Sequence, residues 1–202
     1  MIIGPKYKIC KRLGASVFEK CQTQKFQLAE ARAPRKTRPK RGGRSDYGAQ
    51  LLEKQKARFT YGLSESQFSR YAEEAMEQKG DSALALVSRL ESRLDNVVYR
   101  AGLVKTRRAA RQLVSHGHVT VNGRRMNIPS YAVKAGESVG IRAESRQSPL
   151  FGNRAEAMLE VKAPNWLEMS ADGFSVIQKA APQLGPTETP FNAAVIIQFY
   201  SR

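Results

Sequence analysis

The chain has 202 residues, enough for one or two domains with real cores, and carries 34 Lys and Arg against 18 Asp and Glu, giving a net charge of +16 and a pI near 10.2. That balance implies a polyanionic partner, either nucleic acid or an anionic membrane surface. No run approaches the roughly 18 apolar residues that crossing a bilayer requires. The N-terminus has neither an apolar signal core nor a long Arg/Ser-rich leader, so the chain is expected to stay in the compartment where it is made.

Residues 1–44 hold thirteen basic and two acidic side chains, a net of +11. Gly4-Pro5-Lys6-Tyr7-Lys8 opens this arm and Lys11-Arg12-Leu13-Gly14 follows. Phe18, Phe26 and Leu28 look too sparse for a full core. Arg32, Arg35, Lys36, Arg38, Lys40, Arg41 and Arg44 then come with two prolines, two glycines and no acid. Such a stretch is expected to be disordered in water and to order on phosphates, releasing counterions as each is neutralised. A solubilising tail or a localisation signal are plainer readings. Cys10 and Cys21 are the two cysteines. Structural zinc wants four ligands at paired short spacings, so buried or incidental thiols in a reducing compartment are expected, with no metal site.

From Ser45 the composition turns to scaffold. Ser45 or Asp46 can cap a helix carrying Tyr47, Leu51, Leu52 and Phe59 and ending at Gly62. Ser64 with Gln67 reads as a capping box. The next helix places Phe68, Tyr71, Ala72 and Ala75 on one side and stops at Gly80. Asp81-Ser82 can cap a further helix that continues into Arg89. Tyr61, Phe68 and Tyr71 could stack on bases, but their helical spacing favours a core.

Residues 89–142 hold eleven basic and three acidic side chains, a net of +8. A helix is expected from Arg89 to Arg100, with Leu90, Leu94, Val97, Val98 and Ala101 as its apolar stripe. Arg89, Arg93, Asn96 and Arg100 recur at the same spacing on another face. Ala101-Gly102 supplies a stop, and Lys105 adds a charge before the next helix. Thr106 caps that helix. Ala110, Leu113 and Val114 face its core, while Arg107, Arg108, Arg111, Gln112 and Ser115 point elsewhere. Gly117 ends it between His116 and His118, which suit phosphate or base contact or a structural role. Val119–Val121 alternates as a strand, and Asn122-Gly123 is the preferred pair for a tight hairpin turn. Arg124 and Arg125 leave that turn. Lys134-Ala135-Gly136 turns into a strand over Glu137–Arg142 that buries Val139 and Ile141.

Two helices and a turn thus converge arginines, amides and hydroxyls on one surface. A merely solvated face would mix in carboxylates. The chain has no phosphate-cradling glycine loop and no paired-histidine metal motif. Ser115, His116 and His118 have no evident orienting carboxylate for nucleophilic catalysis. The side chains are of the phosphate-gripping kind rather than set for base edges, which favours folded RNA over double-stranded DNA.

Downstream, Ser148-Pro149 opens an expected helix to about Lys162, with Met158, Leu159 and Val161 inward and Arg154 outward. Ala163-Pro164-Asn165-Trp166-Leu167 is a turn whose tryptophan anchors packing. Asp172-Gly173 leads into a strand at Phe174–Ile177. Pro182–Pro190 reads as loop, and Ala194–Tyr200 as a last strand.

Four segments resemble the RNA-binding module named after the fourth protein of the small ribosomal subunit. They are Arg93–Arg100, Ala110–His118, Val121–Arg125 and Ile128–Tyr131. Gly4-Pro5, Glu53–Gly62, Pro164–Leu167 and the terminal Phe199-Tyr200-Ser201-Arg202 extend the resemblance to the bacterial or organellar family of that ribosomal protein. The resemblance implies an α+β architecture. Its mainly helical scaffold, with small C-terminal strands, covers residues 45–88 and 149–202, its inserted RNA-binding module of two helices and a small β unit covers 89–148, and its basic arm covers 1–44. It implies a structural constituent of the small subunit, cytoplasmic and ribosome-bound, without catalytic activity or cofactor. Such a protein is a primary binder of small-subunit ribosomal RNA that nucleates assembly of the subunit body and influences decoding accuracy. The implied partners are that RNA, neighbouring small-subunit proteins, especially the fifth, and mRNA near its entry channel, with no membrane partner. The expected grip on phosphates and sugars comes from Arg93, Arg107, Arg108, Arg111, Arg124 and Arg125, with Gln112, Ser115 and Asn122; Arg89, Arg100, Lys105, His116, His118 and Gly123 complete the expected RNA-binding set together with the basic residues from Arg32 to Arg44. Some relatives carry four N-terminal cysteines that bind zinc; this chain has two. A free RNA chaperone or translational repressor using the same module is the alternative. An RNA-modifying enzyme would need a catalytic domain for which too little chain remains.

Overall fold

Pro5 leads into helix α1 (Lys6–Leu13), which ends where Gly14 adopts a φ of 65° and donates its N–H to the Cys10 carbonyl. The computed structural model describes residues 4–32, 45–151, 163–184 and 188–201. The arm positions Arg35, Lys36, Arg38, Lys40, Arg41 and Arg44 lie outside the described residues, as does most of the helix expected up to Lys162, Arg154 included. The chain divides into two compact units, residues 1–86 with 184–202, and residues 87–183.

In the first unit, a 3-10 turn (Glu19–Gln22) and helix α2 (Gln24–Arg32) follow α1. Ile9, Cys10, Leu13, Val17, Phe18, Cys21 and Phe26 are buried together, so this segment does form a core. The expectation of too few apolar residues fails because the core is completed from outside the segment. Leu52 and Phe59 of helix α3 (Asp46–Tyr61) pack against it, and Phe59 meets Phe18 edge to face at 6.2 Å. Both cysteines are free and buried. Burial, with Cys10 alongside, pushes the Cys21 thiol up to about 12.

The N-caps expected in the scaffold form, but only half of the Ser64–Gln67 capping box does: the Gln67 side chain bonds Tyr71 OH. Ser45 Oγ accepts from Gly48 N at 3.2 Å at the head of α3, and Gly62 closes that helix at φ 63°. Ser64 Oγ accepts from Gln67 N at the head of helix α4 (Glu65–Glu77), and Asp81 Oδ1 accepts from Ala83 N and Leu84 N at the head of helix α5 (Ser82–Glu91). Tyr61, Phe68 and Tyr71 are buried, as a core role requires. The C-terminal segment departs from expectation: Ala193–Tyr200 is a helix, with Asn192 Oδ1 accepting from Ala194 N and Val195 N. A short apolar run has no decisive period, and here the cap and the packing choose helix. Ring contacts Tyr47–Phe199, Tyr61–Phe191 and Phe68–Tyr200 hold it against α3 and α4. Glu65 ties the same elements, accepting from Lys54 Nζ at 2.7 Å, Arg58 Nη1 at 2.7 Å and Tyr200 OH at 2.9 Å.

In the second unit the single helix expected over Arg89–Arg100 is two. Helix α5 stops at Glu91, Ser92 turns while its N–H still bonds Ser88 O, Arg93 is extended, and helix α6 resumes over Leu94–Arg100. Helix α7 (Arg107–Ser115) follows, with Thr106 Oγ accepting from Ala109 N. Strands β1 (Val119–Val121), β2 (Arg124–Met126), β3 (Ser138–Ile141), β4 (Leu167–Met169) and β5 (Ser175–Gln178) form one antiparallel sheet in the order β2-β1-β3-β5-β4. At the hairpin Asn122 and Gly123 have φ of 49° and 78°, the double positive pair a tight two-residue turn needs. Strands β4 and β5 therefore complete the module's sheet rather than returning to the scaffold at 149, and the chain rejoins the first unit at Leu184. Val121, Val139 and Val176 lie in register across β1, β3 and β5. They bury against Leu94, Val97 and Val98 of α6 and Ala110, Leu113 and Val114 of α7, with Trp166 and Leu167 in the same core. Burying each of the larger side chains is worth roughly 1.5–3 kcal/mol.

Candidate nucleic-acid interface

The geometry of the basic surface begins at the break between α5 and α6. The first N–H groups of a helix have no partner within it. Here Leu94 N donates to Tyr131 O at 2.8 Å and Asp95 N to Pro129 O at 3.2 Å, while Val133 N donates to Ser92 O at 2.8 Å. Arg93 pairs with Ala132 as an isolated β-bridge. An extended residue does not follow the helical phase, so the Arg93 side chain turns inward. It is 1% exposed, with Nε 3.1 Å from Asp95 Oδ1 and Nη2 2.9 Å from Oδ2. Arg93 is thus removed from the set of outward cations in which its spacing had placed it.

Two buried carboxylates lie beneath the remaining arginines. Asp95 Oδ2 also accepts from Arg111 Nε at 3.0 Å and Nη2 at 2.8 Å. Glu91, fully buried, accepts from Arg100 Nε and Nη2, each at 2.8 Å, and from Asn96 Nδ2 at 2.7 Å. Asn96 is itself buried and its Oδ1 accepts from Arg107 Nε at 2.9 Å, while the Arg107 guanidinium lies 4.3 Å from the Tyr99 ring centre. Arg107 and Arg111 are therefore half-buried and oriented by α6, Arg100 is half-buried and held by Glu91 of α5, and Arg89 is half-buried near the end of α5.

Outside this ring, Lys105, Arg108, Gln112, Ser115 and His116 are exposed on and around α7, and Asn122, Gly123, Arg124 and Arg125 at the hairpin. Gly117 has φ 75°, and a Cβ there would fall 2.2 Å from Arg125 Nε. Arg125 lies across that glycine and donates from Nη2 to His116 O at 3.3 Å. His118 is half-buried with Nδ1 2.9 Å from Ser145 Oγ, and its ring centre is 6.1 Å from that of His116. Asn122 Oδ1 accepts from Ser138 N at 2.8 Å, so this acceptor serves the turn rather than a ligand. Arg32 is exposed at the end of α2 in the first unit.

Glu91, Asp95, Asn96 and Tyr99 were not counted among the candidate site residues, although they set the directions of those that were. A signal existed: Glu91 and Asp95 are two of the three acids in residues 89–142, four apart, amid arginines. Arg142 is paired with Glu144, and Arg146 with Asp172 at 3.4 Å. Among the described residues no group of three His, Cys, Asp or Glu could hold a metal ion, and no helix is long and apolar enough to cross a membrane. Planar guanidiniums presented at fixed angles with hydroxyl and amide groups suit phosphate and sugar edges.

A family model described as "S4 domain" matches residues 92–139, and one described as "Ribosomal protein S4/S9 N-terminal domain" matches residues 1–91. Their boundary falls at the end of α5. The small ribosomal subunit protein uS4 of Roseiflexus castenholzii is 46% identical over 202 residues, covering 99% of this chain and 98% of its own. Those of Chloroflexus aurantiacus and Acetivibrio thermocellus are each 42% identical, over 202 and 203 residues, with 98% of each relative covered. Matched from end to end in this way, and carrying the module in the unit that holds the arginine surface, the chain belongs to the uS4 family of small ribosomal subunit proteins.

Proposed function

We propose that this protein acts as a structural, non-enzymatic component of the small ribosomal subunit that binds ribosomal RNA through the surface built by α6, α7 and the β1–β2 turn. The observation that carries the reading is full-length membership of the uS4 family, together with a cationic face in the matched module. Arg107, Arg108, Arg111, Arg124 and Arg125 supply the phosphate contacts, with Gln112 and Ser115 at their edge. The basic segment at residues 32–44 adds charge that neutralises further phosphates. As a primary binder of the RNA it nucleates assembly of the subunit body, meets the fifth small-subunit protein and contributes to the mRNA entry site and decoding accuracy.

The test is direct. The full chain is mixed with small-subunit ribosomal RNA, and Kd is measured across a salt series. Arg108→Glu with Arg124→Glu should weaken binding while leaving thermal unfolding unchanged. Each lost phosphate contact should flatten log K against log salt by about 0.7–0.9. Unchanged affinity in the double variant would place the interface elsewhere. In cells, sedimentation with small subunits supports this reading, and a soluble pool points to a free chaperone or repressor instead.

A further inference from the structure

The basic surface contains an arrangement that maximal affinity for a polyanion would not select: two carboxylates built in directly under its arginines. Asp95, 5% exposed, joins a core arginine, Arg93, to a surface one, Arg111. Glu91, fully buried, takes both Nε and Nη2 of Arg100. Each anion cancels positive charge that would otherwise attract any phosphate chain. Each also removes rotamer freedom from a long side chain before a ligand arrives. The Arg111 side chain keeps 32% of its surface accessible while its Nε and Nη2 are held from below. Its planar head can therefore meet phosphate only at the angle that Asp95 allows.

We infer that Asp95 and Glu91 are positioning residues for RNA recognition: by anchoring Arg111 and Arg100 from inside the fold they trade general attraction for RNA against discrimination in favour of one RNA shape. This rests on the RNA-binding reading above. The effect is one of specificity, a difference between two affinities, rather than of affinity itself. Fixed charges reward a backbone whose phosphates already match them and penalise one whose phosphates do not. Lysine could not substitute, because an ammonium on a flexible stem lacks the planar pair of donors that the carboxylate grips.

The experiment is a double-mutant cycle on the full chain, with Kd measured against small-subunit ribosomal RNA and against poly(A)·poly(U) duplex as a control of equal charge density. Asp95→Asn should lower the ratio of the two affinities by about tenfold. Affinity for poly(A)·poly(U) should stay level or tighten, because an anion has left a cationic face. Arg111→Lys, which keeps the charge, should lower the ratio comparably. The double variant should lose no more than either single one, since both break the same link. A merely structural role for Asp95 would weaken both affinities together and leave their ratio unchanged. That result overturns the inference, as does a double variant whose losses multiply. Should Asp95→Asn fail to fold, Glu91→Gln with Arg100→Lys runs the same cycle without touching the Arg93 pair, and the same outcomes decide. An unsubstituted chain that binds neither RNA overturns the RNA-binding reading, whereas one that binds both without preference overturns this inference alone.

Discussion

Replacing Arg93 separates the structure's account from the one its position in the sequence suggests. As an outward cation, Arg93→Ala would cost RNA affinity and flatten the salt dependence by about 0.7–0.9 while stability stayed level. The structure requires the reverse. The guanidinium is 1% exposed and bound through Nε and Nη2 to Asp95, whose other tie is to Arg111. Removing one partner of a buried ion pair costs about 3–5 kcal/mol, because the remaining charge is left under-compensated and a cavity opens. In a unit spanning residues 87–183, each kcal/mol shifts Tm by roughly 4–8 °C, so a fall of at least about 12 °C is expected. Thermal unfolding followed by circular dichroism, with a salt series of RNA binding well below the new Tm, measures both quantities. The salt slope should match that of the unsubstituted chain. A Tm within a few degrees of the original, together with a flattened slope, would show that Arg93 reaches phosphate and that the inward placement is wrong.

Gly117→Ala should lower stability by about 1–2 kcal/mol, the cost of a left-handed conformation for a residue with Cβ. It should also weaken RNA binding, because the new methyl displaces the Arg125 guanidinium that now crosses the glycine. Denaturant unfolding and an RNA titration read the two effects, and an unaltered affinity would mean that Arg125 needs no seat. For Glu65, burial alone would raise the pKa, but hydrogen bonds from Lys54, Arg58 and Tyr200 together hold it below the ordinary 4.5. A carboxyl depressed on folding stabilises above its unfolded pKa and loses that contribution as pH falls through its folded one. The first unit should therefore weaken as pH drops below about 4.5. Glu65→Gln should show a shallower acid limb in unfolding followed over pH 6 to 2, and an identical limb would exclude the linkage.

What could be read from the sequence was what neighbours along the chain decide. Ser45, Ser64 and Thr106 cap the helices they precede, since a cap bonds to an N–H two or three residues on. Asn122-Gly123 turns because those two residues tolerate positive φ. The valines of β1 and β3 and the stripe of α6 and α7 found the core their periods indicated. The basic character of residues 89–142 is a property of composition and needs no fold to be seen.

Other features depended on partners far along the chain. The helix break at Arg93 exists because Tyr131 O, Pro129 O and Val133 N bond to the backbone of Leu94, Asp95 and Ser92, and a local window around Arg93 holds only its favourable helical spacing. The N-terminal core closes only when Leu52 and Phe59 arrive from α3. Strand β5 pairs with β3 and carries β4 on its other side, and Gly136 N to Gln178 O and Gln178 N to Glu137 O extend that pairing just ahead of β3, between residues some forty apart. Composition therefore determined that the protein carries a cationic surface and where along the chain it lies. Tertiary structure decided which arginines reach that surface and at what angle. A charge is a property of one residue, whereas its direction depends on buried groups that folding brings beside it.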